Sequence, residues 1–333
     1  MALDEAELIA RYFTPLAGAG GLGLRDDAAL LAPPPGAEIV LTADALVADV
    51  HFFAADPPGR IAAKALAVNL SDLAAKAAEP LGFLLTLALP PGWTPDWLEG
   101  FAQGLGEAAG AQACPLLGGD TVATPGPLSL SITALGSVPA GGMVRRAGAK
   151  PGDLLYVSGT IGDAALGLAL RRAELGQGPP PEWAAALSSE QQETLVNRYL
   201  QPQPRLGLRA ALRACASAAM DISDGLVGDL RAMMRASGTS ARVDLREPPF
   251  SAAASAALRV DASLLERIAC GGDDYEILCA VPPAKAERFA SLAAEAGVAV
   301  VPIGSVEPAS RGDLFLAPGG EPLAFRRERF SHF

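Results

Sequence analysis

Residues 58–89 read PGRIAAKALAVNLSDLAAKAAEPLGFLLTLAL. The Ala-rich first part predicts one long helix over 58–79, and the apolar run 81–89 predicts a buried strand directly after it. That run is about half as long as a membrane-spanning helix, so it is typical of a sheet inside a globular core. A long helix joined to a buried strand indicates a protein that mixes helices and sheets.

The same alternation extends on both sides of this stretch. Apolar periodicity predicts helices over 4–13, 95–109, 163–170, 188–200, 204–216 and 224–237, and strands over 38–42, 128–138, 153–158, 276–281, 299–303 and 314–316. The Gly- and Pro-rich segment 139–152 separates two halves. We therefore predict a two-lobed α/β (α+β) chain, with an N-terminal domain over 1–140 and a C-terminal α/β domain over 150–333.

Length and charge exclude several classes of protein. The chain has 333 residues, too many for one minimal core, which agrees with two domains. It is 50% hydrophobic, which argues against disorder. Its 37 acidic residues outnumber 26 basic ones and give a net charge of −11. This balance argues against partners such as nucleic acid or an anionic membrane, because both attract clustered Lys and Arg.

Cysteine and histidine are too sparse for disulfide or zinc chemistry. The only histidines are His51 and His332, and no C-x-x-C occurs. The first ten residues carry three acidic side chains where a secretory signal would be basic, so a cytoplasmic protein is expected. The four cysteines stand singly, at Cys114, Cys215, Cys270 and Cys279.

Short acidic motifs stand where predicted strands end or predicted helices begin. Singly, each is most simply a turn or a helix cap, since Asp is common at both. Six of them in one chain suggest a shared function. They are Asp26-Asp27, Thr42-Ala43-Asp44, Asn69-Leu70-Ser71-Asp72, Gly118-Gly119-Asp120-Thr121, Asp221-Ile222-Ser223-Asp224-Gly225 and Gly271-Gly272-Asp273-Asp274-Tyr275-Glu276.

Spacing places some of these residues more closely. Strand 38–42 is expected to deliver Asp44 into a loop. Asn69, Asp72 and Lys76 share one face of the 58–79 helix, and that face is equally a solvated surface or a functional one. Residues 221–225 open the 224–237 helix, with Ser223 or Asp221 as the N-cap. Free N–H groups there would suit a phosphate.

A glycine-rich segment offers a weaker signal. Residues 18–23 match G-x-G-x-x-G, but they follow a helix and lead into an acidic pair, so the dinucleotide-binding context is absent. A plain flexible loop is favoured, with a mobile phosphate-covering flap as the alternative. The P-loop pattern G-x-x-x-x-G-K-[ST] does not occur in the sequence.

If the acidic motifs converge, they predict a metal site. Two carboxylates about 4 Å apart repel by roughly 4 kcal/mol at an effective dielectric constant near 20. Several in one cleft would need divalent cations between them, and oxygen-only ligands favour Mg²⁺. A multi-carboxylate magnesium site is most simply a site of phosphoryl transfer.

An arginine pair and a histidine near these motifs each have a structural and a functional interpretation. Arg145 and Arg146 precede a Gly/Pro loop where a nucleotide could be clamped, although an arginine pair there is more often a solvated turn. His51 follows Asp44 by seven residues and precedes two phenylalanines. Core packing and ligand contact are equally compatible with that position.

Together these motifs resemble the thiamine-monophosphate kinase family, of the superfamily that includes aminoimidazole ribonucleotide synthetase and selenophosphate synthetase. The resemblance runs over nearly the whole chain, and its specificity lies in the order and spacing of the motifs. They are Arg25-Asp26-Asp27-Ala28-Ala29, the segments 43–52 and 67–75, Gly118-Gly119-Asp120-Thr121, Arg146 with 148–153, 221–226 and the terminal Ser331-His332-Phe333.

The resemblance implies an N-terminal lobe whose sheet pairs with its twin in a homodimer, beside a C-terminal lobe that completes the cleft. It implies ATP, several Mg²⁺ ions and direct γ-phosphoryl transfer to thiamine monophosphate, with no residue standing out as a general base. The implied metal ligands are Asp27, Thr42, Asp44, Asp72, Asp120, Asp221 and Asp224. The implied ATP contacts are Gly119, Asp120, Arg146 and Ser223, and the implied substrate contacts are His51, Asp273 and Phe325.

The chain departs from the family pattern at Arg25, Ala43, Lys76-Ala77, Val122-Ala123 and Asp273. None of these departures removes a carboxylate from the metal set, so they bear on substrate contacts more than on ATP binding. The alternatives are a sibling ATP-dependent enzyme such as aminoimidazole ribonucleotide synthetase and a non-catalytic nucleotide-binding protein. The five carboxylates Asp44, Asp72, Asp120, Asp221 and Asp224 argue against the second alternative.

Overall fold

A computed structural model describes residues 4–245 and 249–326 and divides the chain into two units. Unit 1 comprises Met1–Leu73 and Ala78–Gly141, and unit 2 comprises Ala74–Ala77 and Gly142–Phe333. Each unit contains helices and one sheet, so the predicted mixed α/β class is confirmed. Among the helices within the described ranges, none has the length and apolar character needed to cross a membrane.

Unit 1 is built on a four-stranded sheet in the order β1-β4-β2-β3, in which only β2 and β3 run parallel. Its strands are β1 Ala37–Val47, β2 Glu79–Leu89, β3 Leu116–Ala123 and β4 Ser129–Pro139. Its helices are α1 Glu5–Leu8, α2 Pro58–Ala75, whose last two residues belong to unit 2, and α3 Pro95–Ala111.

The two faces of this sheet differ in burial. On one face Leu85 and Leu87 of β2 are buried, as are Ile61 and Leu66 of α2. We call this side, which carries Thr42, Asp44, Leu85 and Ile132, the helix face. The opposite side is the open face, where Leu41 and Leu84 remain 63% and 38% exposed. The open face carries Leu41, Ala43, Leu84, Thr86, Asp120 and Thr133.

Unit 2 is built on a seven-stranded sheet in the order β11-β10-β7-β9-β5-β8-β6. Its core lies between this sheet and the flanking helices and includes Met220, Leu230, Leu278 and Phe315. Its strands are β5 Leu154–Ser158, β6 Ala218–Ile222, β7 Thr239–Asp244, β8 Glu276–Val281, β9 Val300–Pro308, β10 Leu314–Leu316 and β11 Pro322–Leu323. Its helices are α4 Asp163–Glu174, α5 Ser189–Leu200, α6 Arg209–Cys215, α7 Leu226–Ser237, α8 Ala252–Val260, α9 Leu264–Cys270 and α10 Ala286–Glu295.

Two acidic motifs lie inside strands, where the sequence predicted loops and strand ends. Asp44 is within β1, because β1 stays paired with β4 as far as Val47 opposite Ser129. Gly118 to Thr121 lie within β3, which pairs with β2. The expectation that Asp44 enters a loop was therefore wrong. Strand pairing extends regular structure through both motifs despite their polar and glycine residues.

Two further boundaries and one loop also differ from the sequence prediction. The 58–79 helix ends at Ala75, and the 224–237 helix begins at Leu226. The 18–23 segment forms two short 3₁₀ turns within Ala19–Leu24, joined at a kink where Leu22 and Gly23 have left-handed backbones, so the plain-loop prediction was wrong. A Cβ atom on Gly20 would lie 2.4 Å from the Leu30 carbonyl oxygen. Glycine is required there because two backbone segments approach closely.

Candidate functional site

The first cluster of candidate residues joins β1 to α2 on the helix face of unit 1. The Asp44 backbone N–H donates to Asn69 Oδ1 at 3.1 Å, and the Thr42 hydroxyl donates to Asp72 Oδ2 at 2.5 Å. Asn69 is fully buried and donates through its amide to the Ala65 carbonyl. Asn69 and Asp72, from the predicted polar face of this helix, are therefore packed against β1, so the solvated alternative does not hold for them. Lys76, the third predicted member, follows the end of α2 and donates to the Ala219 carbonyl at 2.8 Å.

Electrostatics within this cluster favours a bound cation. Burial, and to a smaller extent the nearby Asp72 carboxylate, raises the pKa of Asp44 from 3.8 to about 6. The Asp72 carboxylate thus opposes the ionisation of Asp44. The donor set of Thr42, Asp44 and Asp72 consists of oxygens only, which fits a hard divalent cation such as Mg²⁺.

A second acidic group faces the other side of the same sheet. Asp26, Asp27 and Asp120 line a cavity of about 610 Å³ together with Gly118 and Gly119. All three of these carboxyl-bearing residues are exposed. An acidic cavity wall that includes exposed glycine backbone can accept a cation together with an anion that the cation carries.

The strand register separates the two groups. Asp44 lies in line with Ile132 and Leu85, whereas Asp120 lies in line with Thr86, the next residue along β2. Successive side chains of a strand point to opposite faces, so Asp44 and Asp120 lie on opposite faces of one sheet. Across the described ranges no three Asp, Glu, His or Cys side chains form a ready-made metal site. Unit 1 thus brings Asp44 together with Asp72, and Asp27 together with Asp120.

The acidic motifs of unit 2 meet through their backbones. The Asp273 N–H donates to the Ser223 carbonyl at 2.9 Å, and the Tyr275 N–H donates to the Ile222 carbonyl at 2.8 Å. The turn after β6, which carries Ser223 and Asp224, is therefore tied to the loop that carries Asp273. Asp221 precedes this turn as a buried residue of β6, 6% exposed.

The predicted cap of helix α7 was wrong. Gly225 occupies the N-cap position, with no side-chain cap. A residue that the sequence analysis did not single out, Asp229, accepts hydrogen bonds from the N–H groups of Ser223 and Asp224, both at 3.0 Å. These two N–H groups are therefore already bonded within the protein. The available signal was an Asp in the first turn of the 226–237 helix.

Burial dominates the electrostatics of Asp229, which is 5% exposed. It raises the pKa of Asp229 to about 7, although the two backbone N–H groups and the Arg146 guanidinium lower it. The Arg146 guanidinium thus favours the charged form of Asp229. The Arg145 carbonyl also accepts from Ala219 N at 2.9 Å, which holds the arginine loop against β6.

The three predicted substrate contacts lie in different settings. His51, in unit 1, accepts from the Val47 N–H through Nδ1 at 3.0 Å. Asp273 has a left-handed backbone with φ 74°, next to the Ser223 carbonyl. Phe325 packs edge-on against Phe315, with ring centroids 5.3 Å apart, at the rim of the unit 2 core. His332, in the closing motif, lies outside the described residues.

Comparisons with known proteins agree with these motifs. Models of the AIR synthase related protein N-terminal and C-terminal domains match residues 25–138 and 150–317. The chain is 46% identical over 305 residues to the thiamine-monophosphate kinase of Caulobacter vibrioides. The aligned region covers 90% of this chain and 83% of that protein.

Two solved structures share the fold over most of the chain. The thiamine-monophosphate kinase from Stenotrophomonas maltophilia is 38% identical, with a TM-score of 0.78 over 90% of this chain and 91% of that one. AaThiL complexed with AMPPCP and TMP is 27% identical, with a TM-score of 0.77 over 100% of this chain and 99% of that one. The chain belongs to the thiamine-monophosphate kinase family, within the AIR synthase related proteins.

Proposed function

We propose that this protein transfers the γ-phosphoryl group of ATP to thiamine monophosphate, giving thiamine diphosphate and ADP. The observation that carries the proposal is the likeness, over the whole chain, to a relative complexed with an ATP analogue and TMP. The Asp44–Asp72 pair supports it independently, because two half-buried carboxylates close together fit a cation-assisted reaction.

Several Mg²⁺ ions are proposed to assist the reaction. Bound Mg²⁺ would neutralise phosphate charge during the transfer. In unit 1, Thr42, Asp44 and Asp72 would hold one cation on the helix face, and Asp27 and Asp120 would hold another from the cavity. In unit 2, Asp221 and Asp224 are the proposed ligands.

ATP is proposed to contact Gly119, Asp120, Arg146 and Ser223. Gly119 exposes backbone at the cavity wall, where a phosphate can approach closely. The Arg146 guanidinium would bind phosphate oxygens near the turn that carries Ser223. The Ser223 N–H is taken by Asp229, so its hydroxyl is the group left to meet the nucleotide.

Thiamine monophosphate is proposed to contact His51, Asp273 and Phe325. Its terminal phosphate is the nucleophile and is already ionised, so the reaction needs no general base from the protein. Positioning and charge neutralisation then account for the rate. The Asp273 carboxylate suits the cationic thiamine ring, because opposite charges attract at short range.

A homodimer in the cytoplasm is proposed as the working form. The open face of unit 1 leaves Leu41 63% exposed and Leu84 38% exposed. Exposed apolar side chains gathered on one face are typical of an interface with a protein partner. A second copy of the chain offers the same face, as symmetric dimers require.

The decisive experiment is a turnover assay with purified protein, ATP and Mg²⁺. Thiamine monophosphate, thiamine and aminoimidazole precursors are offered as separate acceptors, and thiamine diphosphate and ADP are measured by chromatography. Equal amounts of both products are expected from thiamine monophosphate alone, with none after chelation by EDTA. ATP binding without product from any acceptor would indicate a non-catalytic protein. Product from an aminoimidazole precursor would indicate the sibling reaction.

The metal assignment is tested by Asp72→Asn and Asp120→Asn. Each change removes a carboxylate charge while keeping the side-chain shape, so turnover should fall at least about 100-fold without loss of folding. Asp96→Asn is the matched control, because Asp96 is exposed in the first turn of α3. Near-normal turnover of either test variant would contradict the assignment.

A further inference from the structure

The turn at Ser223 and Asp224 is held by Asp229, which lies six residues after Ser223 and five after Asp224. Asp229 Oδ2 accepts from both backbone N–H groups at 3.0 Å. A helix-capping side chain usually bonds to N–H groups inside its own helix. Here the bonded N–H groups precede the N-cap residue Gly225, so Asp229 orders the turn that leads into α7.

This turn also supports a second loop. The Asp273 N–H and the Tyr275 N–H donate to the carbonyls of Ser223 and Ile222. Asp273 and Tyr275 adopt left-handed backbone conformations, with φ 74° and φ 51°, which residues other than glycine rarely adopt. Such conformations persist only where surrounding contacts hold them. The Ser223 carbonyl is one of those contacts.

Close packing leaves the two segments little room to shift independently. A Cβ atom on Gly272 would lie 2.4 Å from the Ser223 carbonyl oxygen. A Cβ atom on Gly225, where φ is 114°, would lie 2.6 Å from the Cys270 carbonyl carbon. The turn and the 271–275 loop therefore form one packed assembly, in which the two N–H groups bonded by Asp229 have fixed directions.

We propose that Asp229 is a positioning residue that sets the affinity of this turn for the metal–nucleotide without contacting either. This proposal rests on the proposed function, which assigns Ser223 to ATP and Asp224 to a cation. Asp229 aims their side chains by bonding their backbones, and through the Ser223 carbonyl it also supports the loop of Asp273. Side chains of this kind, one step removed from a metal, commonly change metal affinity when altered.

The test compares Asp229→Ala with Asp229→Asn. The alanine variant removes both acceptors, and the Mg²⁺ concentration for half-maximal activity should rise about 10- to 100-fold. The asparagine variant keeps an acceptor oxygen and should stay within about threefold of wild type, because geometry, and not charge, is what Asp229 supplies. An asparagine variant as impaired as the alanine variant would overturn the proposal, since Asp229 would then bind the metal itself.

Asp313→Ala is the control for a purely structural effect. Asp313 also accepts one backbone N–H, that of Ala241 at 2.9 Å, and pairs with Arg231. Its loss should lower the melting temperature without changing the Mg²⁺ dependence. The same Mg²⁺ shift in both alanine variants would overturn the proposal. If Asp229→Ala does not fold by circular dichroism, Asp229→Ser replaces it, with the same shift expected.

Calorimetry separates this proposal from the proposed reaction. Binding of AMPPCP with Mg²⁺ is measured on wild type and on each variant, without thiamine monophosphate. Weaker binding by Asp229→Ala, restored in Asp229→Asn, supports the positioning role even if no acceptor is phosphorylated. Unchanged binding by Asp229→Ala overturns it even if wild type proves an active kinase.

Discussion

At the scale of single residues, unit 2 contains a carboxyl group whose surroundings oppose its charge. Asp274 is 1% exposed, and burial is the main reason that its pKa lies well above the ordinary 3.8. The Gly162 N–H donates to Oδ2 at 2.8 Å, while Oδ1 is buried and has no hydrogen-bond partner among the residues that the structure describes. The neighbouring Glu276 instead bonds to Arg198, Arg205 and Ser158.

This contrast predicts a pH-dependent stability. A raised pKa means that folded protein keeps a proton that unfolded protein loses above about pH 4, so the contribution of Asp274 falls as pH rises through its folded pKa. Asp274→Asn removes the titration. Its unfolding free energy relative to wild type should increase with pH, by at most about 1.4 kcal/mol per pH unit. Urea unfolding from pH 4.5 to 8 measures this difference.

The control for that measurement is Asp96→Asn, at the exposed start of α3. Its stability curve should run parallel to that of wild type across the same pH range. A parallel curve for Asp274→Asn as well would show that the Asp274 carboxyl titrates alike in the folded and unfolded chains.

At the scale of elements, β3 depends on one glycine. Gly119 has φ 153°, and a Cβ atom there would lie 1.8 Å from the Leu85 carbonyl oxygen of the paired strand. At Gly118 the nearest atom is Leu84 Cδ2, at 3.3 Å, which belongs to a flexible side chain. Adjacent glycines of one motif thus meet very different constraints.

Gly119→Ala should therefore destabilise the protein by more than about 3 kcal/mol, because β2 and β3 must separate to admit the methyl group. Gly118→Ala, the matched control, should cost less than about 1 kcal/mol. Urea denaturation compares the two variants. Equal losses of stability would mean that the contact between Gly119 and Leu85 does not limit the pairing of β2 and β3.

At the scale of the whole molecule, the proposed homodimer depends on the open face of unit 1. Leu41→Glu places a charge on this face, at a side chain that is 63% exposed, and should yield monomers, since burying an unpaired carboxylate is costly. Light scattering coupled to size-exclusion chromatography measures the mass. Val260→Glu changes an exposed apolar residue of unit 2 and should leave the mass unchanged. A dimeric Leu41→Glu variant would place the interface elsewhere.

Local pattern accounts for much of what could be predicted. The helix at 58–79 and the strand at 81–89 are evident in sequence because apolar periodicity and strand propensity act over a few neighbours. The acidic motifs are equally evident, because Asp beside Gly is a local signal. Their order and spacing sufficed to identify the family. The mixed α/β class followed from the same alternation of elements.

Tertiary structure alone decided where those motifs point. Pairing with β4 kept Asp44 inside β1, and the register of β2 with β3 placed Asp120 on the opposite face. Asp229 became a partner of the Ser223 turn only through the path of the chain between β6 and α7. Strand register depends on contacts between distant residues, which no local pattern encodes. The Asp229 contact spans only six residues, but it depends on the backbone conformation of the intervening turn. The sequence by itself thus determined which residues are proposed to carry the chemistry, and the tertiary structure decided which of them share a face.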